Sequence, residues 1–251
     1  MSSAERRMRR LQHRNSLATA TDPANTSRPV VTTDAPKRVA VLTPCGDMVH
    51  IEFAVSVQQM LIHTFAQRDP RISEIGVFNY GSSILPFSRH VLATAALEQG
   101  WTHTLWIDSD MMFPRDIIVQ FLNRDKPIVG INAMSRRTPY RLTAQRAPGI
   151  PLGTWDDSTG LEKAHRIGFG VVWIATEVYE RVPKPWFEFE FLPDMNCYRG
   201  EDYYFFEKAR EAGYEILVDH DLSKQVQHMG TFGFHPGLVD SLTPAEYRPA
   251  R

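Results

Sequence analysis

Asp108 and Asp110 stand two residues apart in Trp106-Ile107-Asp108-Ser109-Asp110-Met111-Met112-Phe113-Pro114. The residues before them, from Trp101, are apolar and β-prone and read as a buried strand. Both carboxylates therefore fall where the strand ends, and Pro114 suits the first turn of a helix. In an open α/β sheet, ligands collect beyond the carboxyl ends of the strands. Two acids there can hold a hard divalent cation, and the cation can carry a diphosphate. The same residues also suit an ordinary strand-to-helix turn, because Asp and Ser favour turns. Glu201 and Asp202 follow Gly200 at the start of a second helical stretch. There they complement the helix macrodipole, or one of them accepts a hydroxyl proton as a general base. The third candidate is His228, in Val226-Gln227-His228-Met229-Gly230. A cation held by carboxylates often takes a further ligand, and a neutral imidazole is suitable.

These groups need a scaffold, and the apolar pattern supplies one. Lys37 to Pro44 reads as a strand, followed by a turn through Asp47. Ile51 to Gln67 carries apolar residues at helical spacing (Phe53, Val57, Met60, Leu61). Ile75 to Tyr80 is a second strand. Ser88 is placed to cap a helix that Gly100 stops. The acid-bearing strand follows, then a helix from Pro114 to Asn123 and a strand from Pro127 to Asn132. This alternation predicts an α/β fold whose sheet is largely parallel. Later strands are expected at Tyr140–Gln145, Arg166–Thr176 and Glu215–Val218, and helices at Glu177–Val182 and Glu201–Ala212. Pro148 to Gly160 reads as a long loop. The expected organisation is a basic, flexible arm over 1–36, one domain over 37–236 and an irregular tail over 237–251.

Composition narrows the classes. A chain of 251 residues that is 43% hydrophobic can build one domain with a real core. A net charge of −1 excludes a wholly polyelectrolyte binder. The charge is uneven, however, with Arg6, Arg7, Arg9, Arg10 and Arg14 in the arm. That cluster is either a solvated tail or an electrostatic foot for nucleic acid. Two cysteines exclude a disulfide framework and a cysteine metal site, and they fit a reducing, cytoplasmic setting. No apolar run approaches the ~20 residues of a membrane span.

Taken in order, these stretches make the chain similar to glycosyltransferases of the GT-A fold, in particular the short stand-alone proteins of phages and prophages. The resemblance covers about Lys37 to Phe234. It is carried by Leu42-Thr43-Pro44, by Gly81-Ser82-Ser83 with Pro86-Phe87-Ser88-Arg89-His90, and by the Asp-x-Asp of Ile107-Asp108-Ser109-Asp110-Met111. Lys126-Pro127-Ile128-Val129-Gly130, Gly168-Phe169-Gly170, Pro185-Trp186-Phe187, Gly200-Glu201-Asp202-Tyr203 and Gln227-His228-Met229 complete the set. His90 departs from the Asn usual at its position. The resemblance implies a Rossmann-like, mostly parallel sheet with helices on both faces and a smaller antiparallel acceptor-side portion. It also implies transfer of a sugar from a nucleotide-sugar donor, UDP by default, with Mn2+ or Mg2+. Asp110 would bind the metal, Asp108 the metal shell or the ribose, and His228 a further metal position. Thr43 and Pro44 would line the nucleoside pocket, and Arg89 would reach the base or the diphosphate. Gly168 and Gly170 would let backbone approach the sugar, and Trp186 would stack on the acceptor. In inverting relatives Asp202 would be the base, with Glu201 orienting the acceptor.

Other classes share parts of this pattern. A haloacid-dehalogenase phosphatase places Asp-x-Asp on its first strand and continues to Thr, where this chain has Met112. A nucleotidyltransferase usually carries a Gly-rich, basic loop after its first strand, which Pro44-Cys45-Gly46-Asp47 is not. A non-catalytic nucleic-acid-binding module would explain the arm but not the near-neutral charge. The readings join if the acceptor is a hydroxymethylated base in phage DNA held by the arm.

Overall fold

The computed structural model describes residues 35–136 and 141–230. Seven strands form the central sheet: β1 (Lys37–Cys45), β2 (Ile72–Gly81), β3 (His103–Ile107), β5 (Ile128–Gly130), β8 (Leu161–Ala164), β9 (Val171–Ala175) and β12 (Ile216–Asp219). Their order across the sheet is β2-β1-β3-β9-β5-β12-β8. Five of them run in one direction, because β1 pairs parallel with β2 and β3, and β12 pairs parallel with β5. Strands β9 and β8 oppose them. The sheet is thus mostly parallel, as expected of a GT-A architecture. Short antiparallel pairs sit beside it: β4 (Met111–Met112) with β13 (Gln227–His228), β6 (Gln145–Ala147) with β7 (Ile150–Pro151), and β10 (Glu190–Leu192) with β11 (Cys197–Arg199).

The apolar strands are buried on both faces, and alternate residues enter two separate clusters. Ala40, Leu42, Trp106, Val172 and Ile174 belong to one. Val39, Val41, Leu105, Ile107, Val171 and Trp173 belong to the other. This is the period-two alternation of a strand applied to the centre of a sheet covered on both faces, while edge strand β2 stays partly exposed. The first cluster is covered by helices α2 (Leu85–Glu98), α4 (Glu177–Arg181) and α5 (Glu201–Glu211), through Leu92, Tyr179, Phe205 and Phe206. The second is covered by α1 (Ile51–Gln67), α3 (Ile117–Arg124) and α6 (His220–Ser223), through Phe53, Met60, Phe121 and Leu222. Each large side chain that is fully enclosed contributes about 1.5–3 kcal/mol relative to exposure.

Several expected boundaries move. Strand β1 runs one residue further than expected, through Cys45, so Thr43 and Pro44 lie well inside the sheet. Ser88 lies within α2, which starts at Leu85 with Pro86 in its first turn. Helix α3 starts at Ile117, not Pro114. The strand expected from Arg166 begins only at Val171, because residues 165–170 bend around the core. The loop expected over Pro148–Gly160 contains β7, and β8 follows it. The expected Tyr140–Gln145 strand is not continuous: Leu142 makes a single bridge to Met134, and β6 starts at Gln145. Tyr140, the arm through residue 34 and the tail lie outside the described residues.

Candidate active site

The carboxyl end of β3 is the centre of the site. Asp108 follows the last residue of that strand, and its backbone N–H donates to Gly170 O at 2.9 Å. Gly170 approaches so closely that an added Cβ would lie 3.3 Å from Met111 Cε. Gly168 similarly lies against Thr143, at 3.2 Å from its Cβ. These two glycines therefore seat the bend that supports the acid loop. Thr43 and Pro44 lie near the end of β1 on the same rim, one and two residues past the Leu42–Trp106 pairing. Thr43 is 3% exposed and its Oγ1 is buried without a partner.

One group of charges is built around a buried arginine. Arg89 of α2 is 1% exposed. Its Nε donates to Glu201 Oε1 at 3.1 Å and its Nη2 to Asp108 Oδ1 at 3.0 Å. The guanidinium also lies over the Phe169 ring, 4.7 Å from its centroid. Burial disfavours a charge there, but Asp108 and Glu201 keep the Arg89 pKa above its usual value. Burial pushes Asp108 above the usual carboxylate range, against the pull of Arg89. Arg89 is thus neither a surface arginine nor a group reaching out to a nucleotide. It clamps the start of α5 to the end of β3. Glu201 is 6% exposed and spent on that clamp, so the expected role of orienting the acceptor falls away.

The neighbouring Asp202 is different. It lies in the first turn of α5, after Gly200 at the N-cap. Its Oδ1 accepts the Tyr203 N–H at 2.7 Å, and no cation pairs with it among the described residues. Burial, then the nearby Glu201 charge, pushes its pKa up to about 7. Gly200 leaves room for it: a Cβ there would come within 2.8 Å of Asp202 Oδ1.

The second charged group is more open. Strand β13 pairs with β4 so that His228 lies opposite Met111, and Met229 N–H donates to Asp110 O at 2.7 Å. This brings His228 Nε2 to 3.3 Å from Asp110 Oδ2, although 118 positions separate the two residues. His228 Nδ1 lies 2.8 Å from Met134 O, which orients the ring when that nitrogen carries the proton. Arg136 Nη2 reaches the same Asp110 Oδ2 at 2.9 Å. Burial works against the Asp110 charge, yet His228 and Arg136 hold its carboxyl below the usual range. Asp110 in turn raises the His228 pKa, against the effect of burial.

Asp108, Asp110 and His228 do not form one three-ligand set, because Asp108 turns to Arg89. Among the described residues no three His, Cys, Asp or Glu side chains are grouped to hold a metal. The pair that is assembled, a carboxylate and an imidazole, is still a donor set for a divalent cation. Trp186 is a further correction. It is 1% exposed and its Nε1 donates to Tyr179 O and Val182 O at 3.1 and 2.9 Å. Its ring is core and is closed to an acceptor. Arg136 was not among the expected residues. Its sequence signal is a basic pair, Arg136-Arg137, just past the carboxyl end of a buried strand.

The fold and site define an α/β protein with charged groups gathered at the carboxyl rim of its central strands. No family model matches the sequence, and no match to it was found among the curated proteins. Solved structures similar to it include A197 from STIV, 14% identical, with a TM-score of 0.47 over 79% of this chain and 97% of that one. Another is S. aureus TarS 1–349 in complex with UDP-GlcNAc, 12% identical, with a TM-score of 0.47 over 79% of this chain and 60% of that one. A third is GalNAc-T7 with UDP, GalNAc and Mn2+, 10% identical, with a TM-score of 0.47 over 81% and 46%. No helix among the described residues is long and apolar enough to cross a membrane.

Proposed function

We propose that the protein is a metal-assisted glycosyltransferase, moving a sugar from a nucleotide-sugar donor, a UDP-sugar by preference, to a hydroxyl acceptor. One observation carries this reading. Asp110 and His228, distant in the chain, meet at 3.3 Å on the rim that also bears Asp108 and Asp202. Their oxygen and nitrogen donors suit Mn2+ or Mg2+. When bound, such a cation neutralises the charge that grows on a diphosphate leaving group. Asp202 is the base: a carboxyl with a pKa of about 7 takes a hydroxyl proton far more readily than an ordinary aspartate. A base on the acceptor side fits single displacement with inversion at the sugar carbon. Arg89 and Glu201 position Asp202 by fixing the start of α5. Thr43 and Pro44, themselves buried, set the backbone edge of the nucleoside side of the rim, and Gly168 and Gly170 keep its floor close to the acid loop.

The test is a thermal-shift panel of nucleotide sugars with and without Mn2+, because a ligand that binds only the folded state raises stability by mass action. The expected result is a shift for one nucleotide class that grows with Mn2+ and vanishes in Asp110→Asn and His228→Ala. No shift for any nucleotide sugar would overturn the reading. The acceptor to test first is hydroxymethylated duplex DNA, because of the Arg6–Arg14 cluster. Removing residues 1–33 then abolishes transfer to DNA and spares donor hydrolysis. Equal loss of both, or no loss, removes DNA as the acceptor.

A further inference from the structure

We infer that Arg136 is a binding residue for the donor diphosphate, held on Asp110 until the donor arrives. The inference rests on the donor and cation reading above. Arg136 joins two separate pieces of the rim: its Nη2 donates to Asp110 Oδ2 and its Nη1 to Met229 O, each at 2.9 Å. His228 Nε2 faces the same carboxylate oxygen at 3.3 Å. A divalent cation that takes this oxygen must displace Arg136, since two positive centres a few ångströms apart repel.

Three features say where the guanidinium goes. Its side chain is 45% exposed, so release gives up little burial. Gly230 lies beneath its stem, and a Cβ there would come within 2.8 Å of Arg136 Cδ. Arg136, His228 and Gly230 all line one cavity of about 490 Å3, a volume typical of small-molecule sites. Among the described residues, its walls carry two cations, Arg136 and Lys224, and no carboxylate, Asp110 lying behind the wall against Arg136. A wall with cations and no acid attracts an anion. A planar guanidinium offers parallel N–H groups that match two phosphate oxygens at once. Asp110 satisfies Arg136 in the donor-free protein, and the diphosphate satisfies it in the complex.

The experiment compares the full-length protein with Arg136→Gln and Arg136→Lys. Mn2+ binding without nucleotide is followed by the paramagnetic resonance of the free ion. Binding of UDP, GDP, CDP and ADP is measured by calorimetry with Mn2+ present. The Gln variant should bind Mn2+ more tightly, by about threefold or more, because its competitor for Asp110 is gone. It should bind the preferred nucleotide more weakly, by about tenfold or more, as expected for loss of a charged hydrogen bond. The Lys variant should recover part of the nucleotide affinity. Unchanged nucleotide affinity in Arg136→Gln overturns the assignment. So does a parallel loss of Mn2+ and nucleotide, which would make Arg136 a mere prop for Asp110. A wild-type protein that binds none of the four nucleotides, or whose Mn2+ binding ignores Asp110→Asn, overturns the underlying reading instead.

Discussion

Two arginine–carboxylate clusters flank the same short loop, and they differ mainly in the access of their arginine to water. In the Arg89–Asp108–Glu201 cluster the side-chain exposures are 2%, 30% and 8%. In the Arg136–Asp110–His228 cluster they are 45%, 21% and 22%. The chemistry is similar, but the consequences are opposite. A buried guanidinium is costly to leave alone, so Arg89 stays fixed on its two carboxylates and holds the fold. A partly wet charge can change partners at small cost, so the second can exchange one cation for another. Asp108 and Asp110 are two residues apart and similarly exposed, yet the arginines that hold them fall on opposite sides of that divide.

The comparison can be broken in four places. The largest effect belongs to Arg89→Met, which strands Asp108 and Glu201 without their cation. It should destabilise the protein by about 3–5 kcal/mol in chemical denaturation, the usual result of breaking a buried ion pair from one side. Next come Asp110→Asn and His228→Ala. Each should lower turnover by roughly 10²–10³, in line with losing one electrostatic stabiliser of developing charge, while the denaturation midpoint moves little. If either variant unfolds instead, the open cluster is structural after all.

Asp202→Asn should lower turnover by about 10²–10⁴, the range for a general base. The wild-type rate should rise as pH passes about 7, where Asp202 loses its proton. Stability should move the other way. The folded carboxyl keeps a proton that the unfolded chain, near 3.8, releases, so Asp202 costs stability increasingly from about pH 4 to about pH 7. The Asn variant lacks that loss, so its melting temperature should gain on wild type at pH 8 relative to pH 5. A constant difference across pH would contradict the raised pKa. The smallest effect is that of Arg136→Gln on stability, below ~1 kcal/mol, as for other exposed ion pairs. A cost near that of Arg89→Met would erase the distinction between the two clusters.

The sequence showed the strands of this fold better than it showed the partners of its charges. The apolar runs at Lys37–Pro44 and in Trp101–Ile107 allow little except buried strands, because they lack a polar face. Strands β8, β10 and β11 were missed, since Leu-Glu-Lys-Ala, Glu-Phe-Leu and Cys-Tyr-Arg are too short and too polar to show a period. The convergence of His228 on Asp110 was legible only through the order of motifs, because contact across 118 positions leaves no local trace. Burial was the main thing hidden. Arg89, Glu201 and Trp186 have residue types suited to a site, and only the packing around Phe169 and Tyr179 reveals that they face inward.

The two-residue ribbon formed by Met111–Met112 and Gln227–His228 has one more implication. Every strand of the large sheet is complete by Asp219, so a chain cut after Val226 would keep its scaffold and lose its imidazole. One residue added or deleted between Asp219 and Gln227 would turn the His228 ring to the other side of the ribbon. On the proposed reading, a correctly counted connection of seven residues, 220–226, therefore decides whether the imidazole meets Asp110 at all.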